Sequence, residues 1–305
     1  MKPASYIGRF APSPTGPLHF GSLIAALGSY LQARQAQGRW LLRIEDLDPP
    51  REKPGASDDI LRSLESFGFE WDGPVIYQSR RSDIYDHYLH RLKRDGLLYA
   101  CDCSRKKIIA DSSDADNGIY PGTCRQRALP PGPGRALRLR VDEPADCGFI
   151  DRIQGRFQQN VASEVGDFVL KRRDGLYAYQ LAVVIDDAEQ AVSEVVRGTD
   201  LLDNTPRQIY LQRQLGFRPP GYLHLPLALN PAGEKLSKQT FAPSLENSRA
   251  LQSLFAAWHF LGQESPAAKL KPDDLPSFWA FAIENWNPDR IPTSELGFTI
   301  NPKHL

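Results

Sequence analysis

The stretch Arg9–Ser22, RFAPSPTGPLHFGS, restricts the fold more than any other part of this chain. Tyr6–Phe10, just before it, reads as a short strand. Pro12, Pro14, Gly16 and Pro17 then force a loop. From Ser22 to Gln37 the residues Leu23, Leu27, Tyr30 and Leu31 recur at helical spacing. Ser22 is the expected cap of that helix and Gly38 its expected stop. Trp40–Asp46 is a second apolar strand running into a charged end. Strand, loop, helix and strand in this order open a parallel α/β sheet.

The 305 residues, 41% hydrophobic and 24% charged, suit one large or two smaller globular domains. No apolar run reaches the roughly 18–20 residues that span a bilayer, and the N-terminus lacks the apolar stretch of a secretory signal. No membrane association and a cytoplasmic address are expected. Lysine and arginine, 37 in all, balance 37 acidic residues. A nucleic-acid partner therefore needs a local basic patch. Arg80–Arg81, Arg135–Arg140 and Lys171–Arg173 are the basic runs, and Lys171–Arg173 is the one expected near RNA.

Helices are expected over Ser57–Phe67 and Ser82–Asp95, each ending at a glycine, Gly68 and Gly96. Cys101–Pro133 reads as an irregular surface insertion. Phe168–Val184 reads as a hairpin turning at Asp174–Gly175. Thr205–Leu215 is a helix with Thr205 as cap, Pro206 in the first turn and Gly216 past the end. His224–Leu229 is a buried strand leading to Lys235-Leu236-Ser237-Lys238. Ala250–Leu261 is a helix, and the Pro-rich tail with its tryptophans packs against the body.

Two motifs point to nucleotide chemistry. Charge developing on a phosphate is stabilised by imidazole, lysine and the N-terminus of a helix. His19 can donate to a phosphate at the start of the first helix, and Gly21 lets a nucleotide lie against the backbone. Lys235 and Lys238 sit on a loop flanked by Pro231 and Gly233, and Ser237 adds a hydroxyl donor. A lone His before a helix is usually a cap, and a lone Lys-x-Ser-Lys is usually a solvated loop. Here both follow strands in the same chain, behind the long ArgPheAlaProSerProThrGly prefix. Cys101, Cys103 and Cys124 cluster, and three close thiols in a reducing compartment point to zinc, which takes four ligands. Water, Asp102 or Cys147 could supply the fourth.

With these residues the chain resembles the catalytic part of glutamyl-tRNA synthetases, and most closely the glutamyl-Q tRNA(Asp) synthetase family, over most of Arg9–Ser244. It departs from the general class I pattern at Ser22, where many relatives have a second His, and at Leu236 and Gln239. The resemblance implies a Rossmann-type doubly wound parallel α/β sheet with a zinc-bearing insertion and a short helical C-terminal region. Its expected divisions are 1–100 and 161–240 for the catalytic halves, 101–160 for the insertion and 241–305 for the helical end. It implies an L-glutamate site at Arg9, Ala11, Ser13, Glu45, Tyr179 and Arg197. Arg9 would clamp the side-chain carboxylate and Glu45 would accept from the ammonium. ATP, entering with Mg2+, would be held by His19, Gly21, Ser22, Lys235, Ser237 and Lys238. His19, Lys235 and Lys238 would stabilise charge as the glutamate α-carboxylate attacks the α-phosphate. One structural Zn2+ per chain would sit on Cys101, Cys103, Tyr120 and Cys124, the pattern placing a tyrosine as fourth ligand.

The chain stops soon after the Lys235–Lys238 loop, and no anticodon-reading domain is expected. That, with Pro49–Glu52, favours glutamate activation without tRNA and transfer to queuosine in the anticodon stem-loop of tRNA(Asp). A truncated synthetase charging a tRNA 3′ end and a non-catalytic tRNA-binding paralogue are the alternatives. A complete adenylation set at Arg9, His19, Glu45, Lys235 and Lys238 argues against the paralogue.

Overall fold

The computed structural model describes residues 6–111, 119–229, 244–266, 272–293 and 298–299. The first half runs β1 (Ile7–Phe10), α1 (Phe20–Gln35), β2 (Arg39–Ile44), α2 (Ala56–Ser66), β3 (Ile76–Tyr77) and α3 (Ser82–Arg94). Next come β4 (Leu98–Cys101), α4 (Arg105–Asp111), β5 (Ala136–Leu139), β6 (Asp146–Asp151), β7 (Gly155–Asn160), α5 (Val161–Glu164) and β8 (Val169–Lys171). The second half adds α6 (Tyr179–Glu189), β9 (Glu194–Gly198), α7 (Thr205–Gln214), β10 (Gly221–Leu225) and β11 (Ala228–Leu229). It ends with α8 (Ala250–Phe260), α9 (Leu275–Asn285) and β12 (Phe298–Thr299). Among the described residues no helix is long and apolar enough to cross a membrane.

Two parallel ladders form the central sheet. Strands β1, β2 and β3 pair in that order, with Gly8 opposite Trp40 and Arg43 opposite Ile76. Strands β9, β10 and β6 pair in parallel, and β7 closes the edge antiparallel to β6. The ladders meet between β1 and β9, where the Ser193 N–H donates to the Ile7 carbonyl at 2.9 Å. Across the molecule the strands read β3, β2, β1, β9, β10 and β6. The order reverses between β1 and β9, as in a doubly wound sheet, and ligands of such sheets bind in the crevice at that reversal. Strand β6 lies within residues 101–160 and belongs to this sheet, whereas β4, β5 and β8 form a separate antiparallel sheet.

The first helix fixes the crevice because its inner face is nearly all apolar. Leu23, Leu27 and Leu31 are buried, and Tyr30 meets Trp40 edge-to-face at 5.0 Å and Trp279 at 4.8 Å. Trp279 comes from α9, and its indole donates to the Phe67 carbonyl at 3.1 Å. Trp286 likewise donates to the Gln32 side chain at 2.9 Å. The tail thus packs against the body through its tryptophans, as expected.

Three local readings are corrected. Helix α1 begins at Phe20, capped by His19, whose Nδ1 accepts the Ser22 N–H at 3.3 Å, so the Ser22 side chain is not the cap. At its end Gln37 takes the positive φ of 51°. Gly38 is needed for another reason: a Cβ there would lie 2.4 Å from the Tyr6 carbonyl oxygen. The hairpin expected over Phe168–Val184 keeps its turn at Gly175 and loses its return strand. That limb shrinks to one bridge between Lys171 and Tyr177 before α6 starts at Tyr179. Leu181–Asp187 are all buried in this helix, and packing overrides the β-propensity of its valines. Thr205 does not cap α7; Asn204 holds that position, and the Thr205 hydroxyl turns to Arg197.

Gly38→Ala is expected to destabilise the protein by about 1–3 kcal/mol, because backbone cannot yield as a side chain does. Urea denaturation checks this, and an unchanged midpoint contradicts it.

Candidate active site

A cleft of about 510 Å³ opens beyond the C-terminal ends of β1, β9 and β10. Pro12 and Ser13 from the loop after β1, His19, Gly21 and Ser22 at the start of α1, and Asp200 after β9 line it. The first turn of α1 therefore presents backbone N–H groups to the cleft, an arrangement suited to phosphate. Because His19 Nδ1 accepts from Ser22, the neutral ring carries its proton on Nε2, which is its donor atom. Lys235, Ser237 and Lys238 lie outside the described residues. The residues on either side border the same place. Ala228 lines the cleft, Ser244 bridges to His19, and the Leu245 N–H donates to the Leu18 carbonyl at 3.0 Å.

Arg9, Glu45, Tyr179 and Arg197 come from β1, the end of β2, the start of α6 and β9. Two buried polar networks hold them. In the first, Asp187 Oδ1 accepts from Arg9 Nε at 3.1 Å and from Arg43 Nη2 at 2.8 Å. Arg43 also reaches Glu45 Oε1 at 3.5 Å and donates to Gln190 at 2.6 Å. Arg9 Nη1 donates to the Val196 carbonyl at 3.3 Å. Burial opposes the Asp187 charge, but Arg9 and Arg43 outweigh it and hold this carboxyl below the usual range. Burial pushes Glu45 upward, and Arg43 and Arg9 recover only part of that. The Glu45 backbone N–H donates to the Pro12 carbonyl at 3.0 Å, which clips the loop carrying Ala11 and Ser13 to the end of β2.

The second network encloses Arg197. Its guanidinium donates to His224 Nε2 at 3.1 Å, Tyr179 Oη at 3.3 Å, Thr205 Oγ1 at 2.8 Å and the Leu201 carbonyl at 3.3 Å. Since His224 Nε2 accepts, its proton sits on Nδ1, 2.6 Å from Asp151 Oδ2. Burial, and then Arg197, lower the His224 pKa against the pull of Asp151.

Sequence reading missed Asp187, Arg43, His224 and Asp151. The adjacent acids ending the apolar run ValValIleAspAsp were the available signal, because unpaired buried acids are costly. Asp186 explains its half of that pair. It accepts from Gln78, Arg81 and Tyr85 at 2.7, 2.7 and 2.8 Å, tying α3 to α6. Arg81 of the first basic run is therefore structural.

The third candidate group lies beside β4. Cys101, Cys103 and Cys124 have their sulfurs within 4.8 Å of one another, the only such metal-ready group among the described residues. Tyr120 Oη lies 3.5 Å from Cys101 Sγ and 3.8 Å from Cys103 Sγ, and it accepts the Cys124 N–H at 2.8 Å. Asp102 contacts Cys124 Sγ at 3.5 Å and pairs with Arg127. Cys147 is excluded as a ligand. It sits on β6 in the core beneath α7, and Arg213 contacts its sulfur at 3.4 Å.

Residues 7–252 match the catalytic domain of tRNA synthetases class I (E and Q). Glutamyl-Q tRNA(Asp) synthetase of Dechloromonas aromatica is 59% identical over 95% of this chain and 97% of its own. The enzyme of that name from Chromobacterium violaceum is 54% identical over 97% and 98%. The chain belongs to the glutamyl-Q tRNA(Asp) synthetase family. A glutamate tRNA ligase from Elizabethkingia meningosepticum, solved with its amino acid, superposes with a TM-score of 0.79. It shares 26% identity, covering 99% of this chain and 68% of its own. In this family member the doubly wound parallel sheet is thus that of a class I synthetase catalytic domain.

The His224 geometry sets a pH dependence. Its folded pKa lies below the ordinary value of about 6.5, so the unfolded chain binds the proton more readily. Stability is fully present above about pH 6.5 and falls as pH drops toward the folded pKa, by at most one proton's slope. Denaturation of wild type and His224→Gln from pH 7.5 to 5 checks this. The variant should lose that slope, and identical slopes contradict the assignment.

Proposed function

We propose that the protein activates L-glutamate with ATP, without tRNA, and transfers it to queuosine at the wobble position of tRNA(Asp). The observation that carries the first half is the hydrogen bond from the Glu45 backbone N–H to the Pro12 carbonyl, which links the cleft lined by Pro12 and the His19 helix start to the Arg9–Asp187–Arg43–Glu45 cluster. The second half is supported by relatives of that name matching this chain over almost their whole length.

The glutamate ammonium meets Glu45 and Tyr179, and Arg9 takes the side-chain carboxylate. The α-carboxylate oxygen attacks the ATP α-phosphorus, the bond to the bridging oxygen breaks, and pyrophosphate leaves with that electron pair. Negative charge grows on the α-phosphate oxygens, where the His19 Nε2–H and the first-turn N–H groups of α1 are positioned to stabilise it. Lys235 and Lys238 would do the same for the pyrophosphate, and Mg2+ entering with ATP would supply charge neutralisation there. A hydroxyl of the queuosine cyclopentene diol then attacks the activated carbonyl and AMP leaves. An enzyme of tRNA modification with these substrates works in the cytoplasm.

Cys101, Cys103, Cys124 and Tyr120 hold one structural Zn2+. The donor set fits. Burial raises Cys103 to about 11 and raises Tyr120 as well, so these two groups lose their protons readily only beside a cation. The Cys124 N–H to the phenol oxygen supports the phenolate. The ion would supply cross-linking of β4 to the 120–124 turn.

Pyrophosphate exchange with ATP should depend on glutamate and need no tRNA, and His19→Ala should lower kcat by about 10²–10³-fold. Labelled glutamate should appear on tRNA(Asp) carrying queuosine. Exchange that requires tRNA, or label at the 3′ end of tRNA lacking queuosine, contradicts the reading. Elemental analysis should give one zinc per chain, lost in Cys103→Ala; stoichiometric zinc retained by that variant contradicts the site.

A further inference from the structure

We propose that the groove between Pro130–Gly134 and the Arg172–Gly175 turn holds the phosphate backbone of the RNA stem-loop, with Arg135 and Arg173 as its anchors. This rests on tRNA being the acceptor.

The groove has a volume of about 450 Å³, and Pro131, Gly134, Arg135, Arg172, Arg173 and Asp174 are among its walls. The fold sorts the basic residues around it into two kinds. Lys171 pairs with Asp86 at 2.9 Å and lies over the Tyr177 ring. Arg172 pairs with Asp48 at 3.1 Å and with Asp174 at 2.6 Å. Arg138 is buried over Tyr120, and Arg140 pairs with Asp142 at 2.7 Å. Arg135 and Arg173 differ: each donates only to a backbone carbonyl. Arg135 Nη1 reaches the Pro130 oxygen at 2.6 Å, and Arg173 Nε reaches the Gly134 oxygen at 2.8 Å. Neither meets a carboxylate among the described residues.

A guanidinium has five N–H donors, and a neutral carbonyl takes one and leaves the charge whole. Both side chains are thus oriented without being neutralised. That is what phosphate recognition requires, since an arginine already paired with an acid must first break that pair. On a chain of zero net charge the two mark a local basic site. They also lie on a route to the cleft. Arg172 pairs with Asp48, Asp48 pairs with Arg51, and Arg51 lines the cleft. A stem-loop whose backbone follows the groove reaches the rim where a base must enter.

Arg135→Ala/Arg173→Ala in the full chain tests this. Glutamate-dependent pyrophosphate exchange without RNA should stay within twofold of wild type. The KM for queuosine-containing tRNA(Asp) should rise at least fivefold, with kcat little changed. The slope of log(kcat/KM) against log salt should become shallower by about 1.5, the share of two phosphates. Arg135→Lys/Arg173→Lys should recover most of the loss. An unchanged tRNA KM and salt slope, a lysine variant as weak as the alanine one, or a matching loss of exchange overturns the proposal. If wild type transfers nothing to this tRNA, the acceptor reading itself fails. Fluorescence anisotropy with the anticodon stem-loop RNA then decides the groove separately, and equal Kd for wild type and the alanine variant overturns it.

Discussion

Asp187 accepts two guanidinium groups on one oxygen, Arg9 at 3.1 Å and Arg43 at 2.8 Å, where almost no water reaches. Much of the site depends on that carboxylate. Without it the two buried cations would keep only the longer carboxylate contacts of Arg43, with Glu45 at 3.5 Å and Asp186 at 3.9 Å, at a cost of several kcal/mol. With it, β1, β2 and α6 are joined behind the crevice, and Arg9 and Glu45 are held ready from neighbouring strands. Glutamate carries an ammonium and two carboxylates, so its recognition needs opposite charges fixed close together. The internal acid fixes both guanidinium groups inside the protein.

The Arg197 network repeats this logic with a neutral group. His224 offers Arg197 a lone pair and passes its own proton toward Asp151, so three strands, β6, β10 and β9, share one polar chain through the sheet. Arg197 has all its nitrogens engaged and is oriented with little freedom. The two networks lie behind the cleft that the α1 N-terminus lines, and on the proposed reading they serve the amino acid and the helix start serves the nucleotide. Nothing in this division needs a nucleophilic side chain, because adenylation is an alignment of two substrates.

Much of this was legible in the chain. Prolines and glycines between Arg9 and Ser22 dictated a loop between a strand and a helix, and the helical spacing of Leu23, Leu27 and Leu31 placed α1 within two residues. The cysteines were legible because thiols cluster for few reasons, and the structure brings Tyr120 to them. What stayed hidden was long-range pairing. Asp187 and Arg43 are far apart in sequence, and a charged residue in an apolar run does not name its partner. His19 as cap was hidden because serine is the commoner cap and Ser22 stood nearby. The return strand after Gly175 failed because Tyr179–Glu189 suits a buried helix as well as a buried strand.

On the proposed reading Asp187 orients Arg9 and Arg43 for glutamate and does not touch ATP. Pyrophosphate exchange by Asp187→Asn, titrated separately with glutamate and with ATP, tests it most directly. Asparagine keeps the shape and removes the charge, so the KM for glutamate should rise about tenfold or more, the value of one charged hydrogen bond. The KM for ATP should stay within twofold. A folded variant with an unchanged KM for glutamate, or with both KM values raised alike, contradicts the account.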